Sequence, residues 1–291
     1  MSGPPLTVAF LGTGTMGAPM AANIAREGLT VRAWNRTAER ARALEGDGAT
    51  VAGQAEHAVE GADVVVTMLS DAGPTLEVAE AILPRMAPNA IWAQMGTIGL
   101  AATDRCIALA QRHGRPFVDA PVLGTLKPAQ DGALTVLASG PDDALDRCSP
   151  LFRAVGQKTL RLGPAGQATR LKLAVNAWVL ALTQGTAEAV ALAKGLGLST
   201  ANMVEALDGS PTDALYFRMK SKLMDDGDYP VSFSLRLAAK DATLIAEAAD
   251  AAGVDVPMIR TIAERLAEGV EAGHGDEDMA ATYRLSAPAR G

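Results

Sequence analysis

The sequence predicts an α/β domain on a doubly wound parallel sheet over residues 1–163, followed by an all-helical domain over residues 164–291. Three observations carry this expectation. The first 160 residues alternate short β-branched or apolar runs with longer Ala-rich, charge-bearing runs, the pattern of strands joined by crossover helices. Most of the short runs are apolar on both faces, as a sheet covered by helices on each side requires. After Gly163-Pro164-Ala165-Gly166 such runs give way to long Ala- and Leu-rich periodic segments.

In chain order, the expected strands are Leu6–Leu11, Thr30–Trp34, Asp63–Leu69, Ala90–Met95, Pro116–Asp119, Leu134–Ala138 and Lys158–Leu162. Between them, Met16, Met20 and Ile24 recur every fourth residue, and Ile107 and Ala110 repeat the pattern after Gly99, so helices pack on the sheet. The second part opens with a helix over roughly Gln167–Lys194 that is apolar on nearly every side, which suits an element buried between two domains or two subunits. Gly195–Ser199, Gly209-Ser210-Pro211 and Asp225–Pro230 then punctuate the chain into three or four shorter helices. Ser286–Gly291 reads as a loose tail.

Composition narrows the function classes. With 291 residues, 48% of them hydrophobic and 20% charged, the chain can bury a substantial core, which excludes disorder as the main state. A net charge of −7 lacks the basic surplus that sequence-independent nucleic-acid binding demands. The most apolar stretch, Leu171–Thr183, is interrupted by Lys172 and Asn176 and falls short of the roughly 20 apolar residues of a bilayer span. No signal peptide is visible, and two cysteines, Cys106 and Cys148, read as packed, reduced thiols of a cytoplasmic protein. The three histidines share no metal-ligand spacing with one another or with the cysteines, and no G-x-S-x-G elbow is present. A small-molecule substrate is the default partner.

Directly after the first strand comes Gly12-Thr13-Gly14-Thr15-Met16-Gly17, opening into the first helix. In that context a G-x-G-x-x-G reads as a dinucleotide site. Gly12 allows the tight turn, Gly14 the close approach of a pyrophosphate, and Gly17 the packing of helix on strand, while the helix N-terminus offers free N–H groups to the phosphates. An acidic side chain at the end of the second strand would select NAD; here stand Asn35-Arg36-Thr37, whose guanidinium and neutral hydrogen-bonding groups suit a 2′-phosphate, so NADP(H) is favoured. If Arg36 is merely a solvated charge, cofactor choice relaxes and NAD(H) is accepted as well.

Further candidates lie where open α/β sheets collect ligands, at strand C-termini. Leu69 and Ser70 stand at the end of the third expected strand, and Gly96-Thr97 follow the fourth. The fifth ends in Asp119-Ala120-Pro121-Val122-Leu123-Gly124-Thr125, where a glycine among small or polar groups leaves N–H donors free for a carboxylate; a rigid loop without function is the plainer reading. On the long helix, Lys172 and Asn176 stand four residues apart on one face, and an unpartnered polar group there costs on the order of 1–3 kcal/mol, a charge more. That conflict marks a site, unless Lys172 snorkels and Asn176 caps. An ammonium with a depressed pKa in a closed cleft can exchange a proton with a carbonyl or alcohol oxygen. Lys240-Asp241, on its own, is a surface charge pair.

Taken together, these segments resemble the β-hydroxyacid dehydrogenase family over almost the whole chain. Val8 through Asn23 is similar to the family's cofactor signature, Asp119-Ala120-Pro121-Val122 to the start of its substrate loop, and Gly163-Pro164-Ala165-Gly166 through Lys172 and Asn176 to its catalytic stretch. Trp34-Asn35-Arg36-Thr37 and Lys127-Pro128-Ala129-Gln130-Asp131-Gly132 lean toward the glyoxylate/succinic semialdehyde reductase branch, whose members favour NADPH. The resemblance implies a Rossmann domain, hydride transfer between the nicotinamide and a short hydroxy or oxo acid in the cleft between the domains, and a homodimer or homotetramer. It also implies Lys172 as general acid/base, Asn176 holding Lys172 and substrate in register, Lys240 over the nicotinamide, and Val122, Leu123, Gly124 and Thr125 gripping the substrate.

Two departures bear on the substrate. Relatives carry Ser where this chain has Leu123, and a hydroxyl residue where it has Gly96, so the expected pocket is more apolar and its substrate bulkier or held without the usual carboxylate grip. An imine or ketone reductase of the same architecture is one rival reading, but such enzymes typically lack the lysine. A catalytically silent nucleotide-binding module is another; it would hold cofactor and turn over nothing.

Overall fold

A computed structural model describes residues 5–287. Two compact units divide it, Met1–Lys172 and Leu173–Gly291.

In the first unit the β-branched and apolar runs become strands with helical crossovers. In order these are β1 (Thr7–Leu11), α1 (Gly17–Arg26), β2 (Thr30–Trp34), α2 (Ala38–Arg42), β3 (Thr50–Val51), α3 (Ala55–Val59), β4 (Val64–Thr67), α4 (Ala72–Ile82), β5 (Ile91–Gln94), α5 (Leu100–Arg112) and β6 (Phe117–Asp119). The six strands form one parallel sheet in the order β3-β2-β1-β4-β5-β6, with the doubly wound switch between β1 and β4. Alternation along each strand splits the core in two. Val8, Phe10 and Val66 face one side, against Met20 and Ile24 of α1; Ala9, Leu11, Val65 and Trp92 face the other, against Leu76 and Ile82 of α4 and Cys106 of α5. Both faces are dry because both are covered, which is why the strands read as continuous apolar runs.

The expected single series of strands is in fact two sheets. β7 (Val122–Leu123), α6 (Leu126–Gln130), β8 (Leu134–Ala138), α7 (Asp142–Val155) and β9 (Gly156–Arg161) follow, and β7-β8-β9 form a separate three-stranded sheet. An antiparallel bridge from Asp119 to Ser139 ties it to the end of β6. β3 and β7, two residues each, are too short to show a period, and β7 forms because Val122 and Leu123 pair with Val136 and Thr135 of β8.

Among the described residues five helices follow: α8 (Gln167–Gly195), α9 (Thr200–Leu207), α10 (Leu215–Asp226), α11 (Leu235–Ala252) and α12 (Pro257–Gly269), with short helical turns at Val270–His274 and Met279–Leu285. Ser199 caps α9 in a reciprocal box with Asn202, and Ser234 caps α11. α8, apolar on nearly every side, is covered on only one of them in the single chain. Thr169, Leu173, Asn176, Leu180, Thr183 and Ala187 are buried along one face, whereas Trp178 and Leu192 are 65% and 64% exposed. Of the expected C-terminal tail, residues 288–291 lie outside the described residues.

Candidate active site

The glycine turn follows directly from packing. Gly12 has φ +106°, and a Cβ there would sit 2.4 Å from the Met68 carbonyl oxygen; a Cβ on Gly17 would sit 1.9 Å from that of Gly12. Neither position admits a side chain. Gly14 differs, because its Cβ would meet no protein atom within 4 Å. The protein itself does not require glycine there, yet Gly14 lines a cavity of about 370 Å³, so its bare backbone leaves room for a ligand to approach. Hydrogen bonds from Gly12 N to Trp34 O (2.9 Å) and from Met68 N to Leu11 O (2.8 Å) hold the three neighbouring loops in place.

That cavity gathers Gly12, Gly14, Asn35, Arg36, Thr37, Leu69 and Ser70, which the sequence had singled out from three separate loops. Asn35 also fastens the glycine turn to the end of β2, since its Oδ1 accepts the Thr13 N–H at 3.1 Å and its Nδ2 donates to Thr37 O at 3.0 Å. Thr13, Thr15, Met16, Gly17 and Thr97 do not line the cavity. Sequence reasoning missed Arg40, which joins Arg36 on the wall along with Glu56 and Glu77. The available signal was a second arginine four residues on, in the first turn of α2.

The pyridine-nucleotide fit rests on the cavity itself. α1 begins three residues after Gly14 without a side-chain cap hydrogen bond or an acidic residue in its first turn, and among the described residues the buried Thr13 Oγ1, between Gly12 and Gly14, has no hydrogen-bond partner. An open approach over Gly14 and the guanidinium groups of Arg36 and Arg40 suit a phosphate-bearing ligand.

Elsewhere in the first unit, the Val122–Thr125 segment is set by β7–β8 pairing on one side and α6 on the other. Asn23 of α1, itself buried, donates to Ala129 O at 2.8 Å and so ties the helix at the glycine turn to α6. Val122 is buried, Leu123 and Thr125 half-buried, and Gly124 exposed. Gly96, where the resemblance leads one to expect a hydroxyl residue, has no room for a side chain, since a Cβ would sit 2.5 Å from the Leu69 carbonyl oxygen. Buried Gln94 closes on it from the other side, donating to Gly96 O (2.7 Å) and accepting from Gly96 N (2.8 Å).

Lys172, half-buried, ends the first unit on α8. In the second unit Asn176 does not cap anything: it is buried mid-helix and donates through Nδ2 to Asp241 Oδ2 at 2.6 Å. Lys240 Nζ lies 3.0 Å from Asp241 Oδ1. The Lys240-Asp241 pair is therefore no surface pair, because Asp241 is 3% exposed. Its place among Ala238, Ala242 and Ile245, the buried face of α11, is the signal that sequence reading overlooked.

A larger depression of about 460 Å³ between α9 and α10 holds none of these residues, and its Arg218 is engaged by Asp208 and Asp213. Cys106 and Cys148 are free and buried, and burial pushes both thiols up to about 12. Among the described residues no helix is long and apolar enough to cross a membrane.

The sheet order and a glycine turn opening on this cavity define a Rossmann-type dinucleotide-binding protein. Residues 7–163 match the family described as the NAD binding domain of 6-phosphogluconate dehydrogenase, and residues 166–286 that described as the NAD-binding domain of NADP-dependent 3-hydroxyisobutyrate dehydrogenase. Glyoxylate/succinic semialdehyde reductase 1 of Arabidopsis thaliana is 29% identical over 95% of this chain and 96% of its own. An NAD-dependent L-serine dehydrogenase of Pseudomonas aeruginosa is 30% identical over 98% and 99%. Among solved structures, 3-hydroxyisobutyrate dehydrogenase of Mycobacterium tuberculosis with L-serine superposes with a TM-score of 0.89 at 29% identity, covering 97% of this chain and 99% of that one. The chain belongs to the β-hydroxyacid dehydrogenase family, NAD(P)-dependent oxidoreductases.

Proposed function

We propose that this protein is an NADPH-preferring reductase of short-chain aldehydes and oxo acids, of the glyoxylate, succinic semialdehyde, tartronate semialdehyde or 3-hydroxyisobutyrate type. One observation carries the cofactor reading: Arg36 and Arg40 together line the cavity just beyond β2, where an NAD site would present a carboxylate. Gly12–Gly17, Asn35, Arg36, Thr37, Leu69, Ser70 and Thr97 would hold the nucleotide on this unit, and Lys240 would attend its nicotinamide. When bound, NADPH supplies the hydride for the carbonyl carbon.

The chain's own contribution is orientation and a proton. Lys172 donates a proton to the carbonyl oxygen as it becomes an alcohol, and takes one back in the oxidative direction. Asn176, fixed by Asp241, keeps Lys172 and substrate in register, while Val122, Leu123, Gly124 and Thr125 hold the rest of the substrate. Leu123 in place of a hydroxyl favours a bulkier or less polar carbonyl, which keeps ketones and imines in the substrate panel. The exposed apolar side chains Trp178, Leu192, Leu196, Leu215 and Met219 support a homodimer or homotetramer, and the two free thiols support a cytoplasmic setting.

The test is NADPH oxidation with a panel of semialdehydes, ketones and imines, run beside Lys172→Ala. The variant is expected to lose about 10²–10⁴-fold in kcat while still binding NADPH. Full turnover by Lys172→Ala on the best substrate overturns the role of Lys172; nucleotide binding without any turnover by the parent protein identifies a silent module.

A further inference from the structure

One fully buried carboxylate joins two segments on which the proposed chemistry depends, yet no step above uses it. Asp119 ends β6 and leads directly into Val122–Thr125. Its Oδ2 accepts the Thr169 N–H at 2.8 Å and its Oδ1 accepts the Thr169 hydroxyl at 2.7 Å; Ser139 Oγ donates to Oδ2 at 3.3 Å. Ser139 Oγ in turn accepts the Ala168 N–H at 3.0 Å. Thr103 of α5 touches Thr169 through the two hydroxyls at 3.3 Å.

These bonds satisfy two of the free N–H groups in the first turn of α8 with side chains 29 and 50 residues earlier in the chain. A local cap fixes only where a helix starts. A remote one also fixes where that start lies against the sheet. Asp119 itself cannot slide, because its backbone pairs both ways with Ser139 at 2.9 Å. Lys172 follows Thr169 by three residues, about 4.5 Å along the helix axis, so anything that shifts the first turn shifts the amine.

Stability alone does not account for a charge at this place. Burial pushes the Asp119 carboxyl above the usual carboxylate range, and its bonds to Thr169 and Ser139 draw it only part of the way back. An apolar pair of similar volume would avoid that cost, but it would leave the buried Ala168 and Thr169 N–H groups unpaired and would not aim the helix.

We propose that Asp119 is a positioning residue: through Thr169 and Ser139 it fixes the first turn of α8, and hence Lys172, relative to the Val122–Thr125 segment. The proposal rests on the reading of Lys172 as acid/base. Its test uses Thr169→Val, Thr169→Ser and Ser139→Ala in the full chain. Thr169→Val is expected to lower kcat about 10- to 100-fold per nucleotide-binding site titrated with NADPH, with KM for NADPH unchanged; Thr169→Ser, which keeps the hydroxyl, recovers kcat. Ser139→Ala, which frees the Ala168 N–H and removes the longer bond to Asp119 Oδ2 but leaves both Thr169 bonds to Asp119, is expected to give a smaller loss of the same kind. Independently of any substrate, hydrogen–deuterium exchange in Thr169→Val rises in the segment over residues 166–172 and not in β1–β5. Unchanged kcat and exchange overturn the proposal, as does activity lost only in proportion to the NADPH-binding fraction. If Lys172→Ala keeps full turnover while the exchange result holds, the acid/base reading fails and the clamp stands as an anchor of α8 only.

Discussion

Asp278 and Asp119 are both fully buried, and their surroundings move them in opposite directions. Burial pushes the Asp278 carboxyl up, but the Lys220 ammonium at 2.5 Å and bonds from Ser232 and Ala280 outweigh it, so it sits below the ordinary value. Its stabilising part is complete above the unfolded pKa, near 4, and is lost as pH falls below that toward the lower folded value. Asp119, raised by burial, works the other way: its contribution is greatest below the unfolded pKa and declines as pH rises through the folded one. Urea unfolding at pH 7 is expected to show Asp278→Ala destabilised by about 3–5 kcal/mol through the stranded Lys220, with that deficit shrinking in the parent's acid limb below pH 4. A deficit independent of pH would contradict the ion-pair account. At the cofactor wall, Arg36→Ala is expected to weaken NADPH binding by about 10- to 100-fold and leave NADH unchanged, by fluorescence titration. Legibility at this scale followed chemistry out of place. Lys172 and Asn176 stood out as polar groups in an apolar helix, whereas Asp241 and Arg40 did not, because beside Lys240 and Glu39 each reads as an ordinary surface charge.

At the scale of elements, the glycine turn separates two requirements that share one motif. Gly17→Ala drives a Cβ into the Gly12 carbonyl and is expected to lower Tm; Gly14→Ala meets no protein atom and is expected to leave Tm unchanged while weakening NADPH binding. Equal loss of Tm in both would mean that Gly14 serves folding rather than the ligand. Strand positions were legible because burial on both faces of the sheet writes itself as an apolar run, and β2 and β8 occupy Thr30–Trp34 and Leu134–Ala138 as expected. The separate small sheet was not legible. Its existence depends on β8 pairing with β7 and β9 rather than with β6, a choice among partners that no local pattern records.

For the whole molecule, the apolar side chains left outside in the single chain motivate a prediction about assembly. Trp178 and Leu192 lie on the face of α8 opposite its buried stripe, and sedimentation is expected to give at least two chains of 30.0 kDa. Trp178→Glu with Leu192→Glu is expected to yield monomers; a parent protein that sediments as one chain removes the proposed homo-oligomer. The sequence by itself determined the α/β-then-helical order, the nucleotide turn and the lysine worth testing, since each of these is local: a period, a spacing, a residue against its background. Tertiary structure alone decided which faces of α8 are covered, that Asp241 holds Asn176, and that Asp119 reaches the first turn of α8. Those are meetings between residues 50 or more positions apart, and partners so distant are chosen by packing, which the linear pattern does not encode.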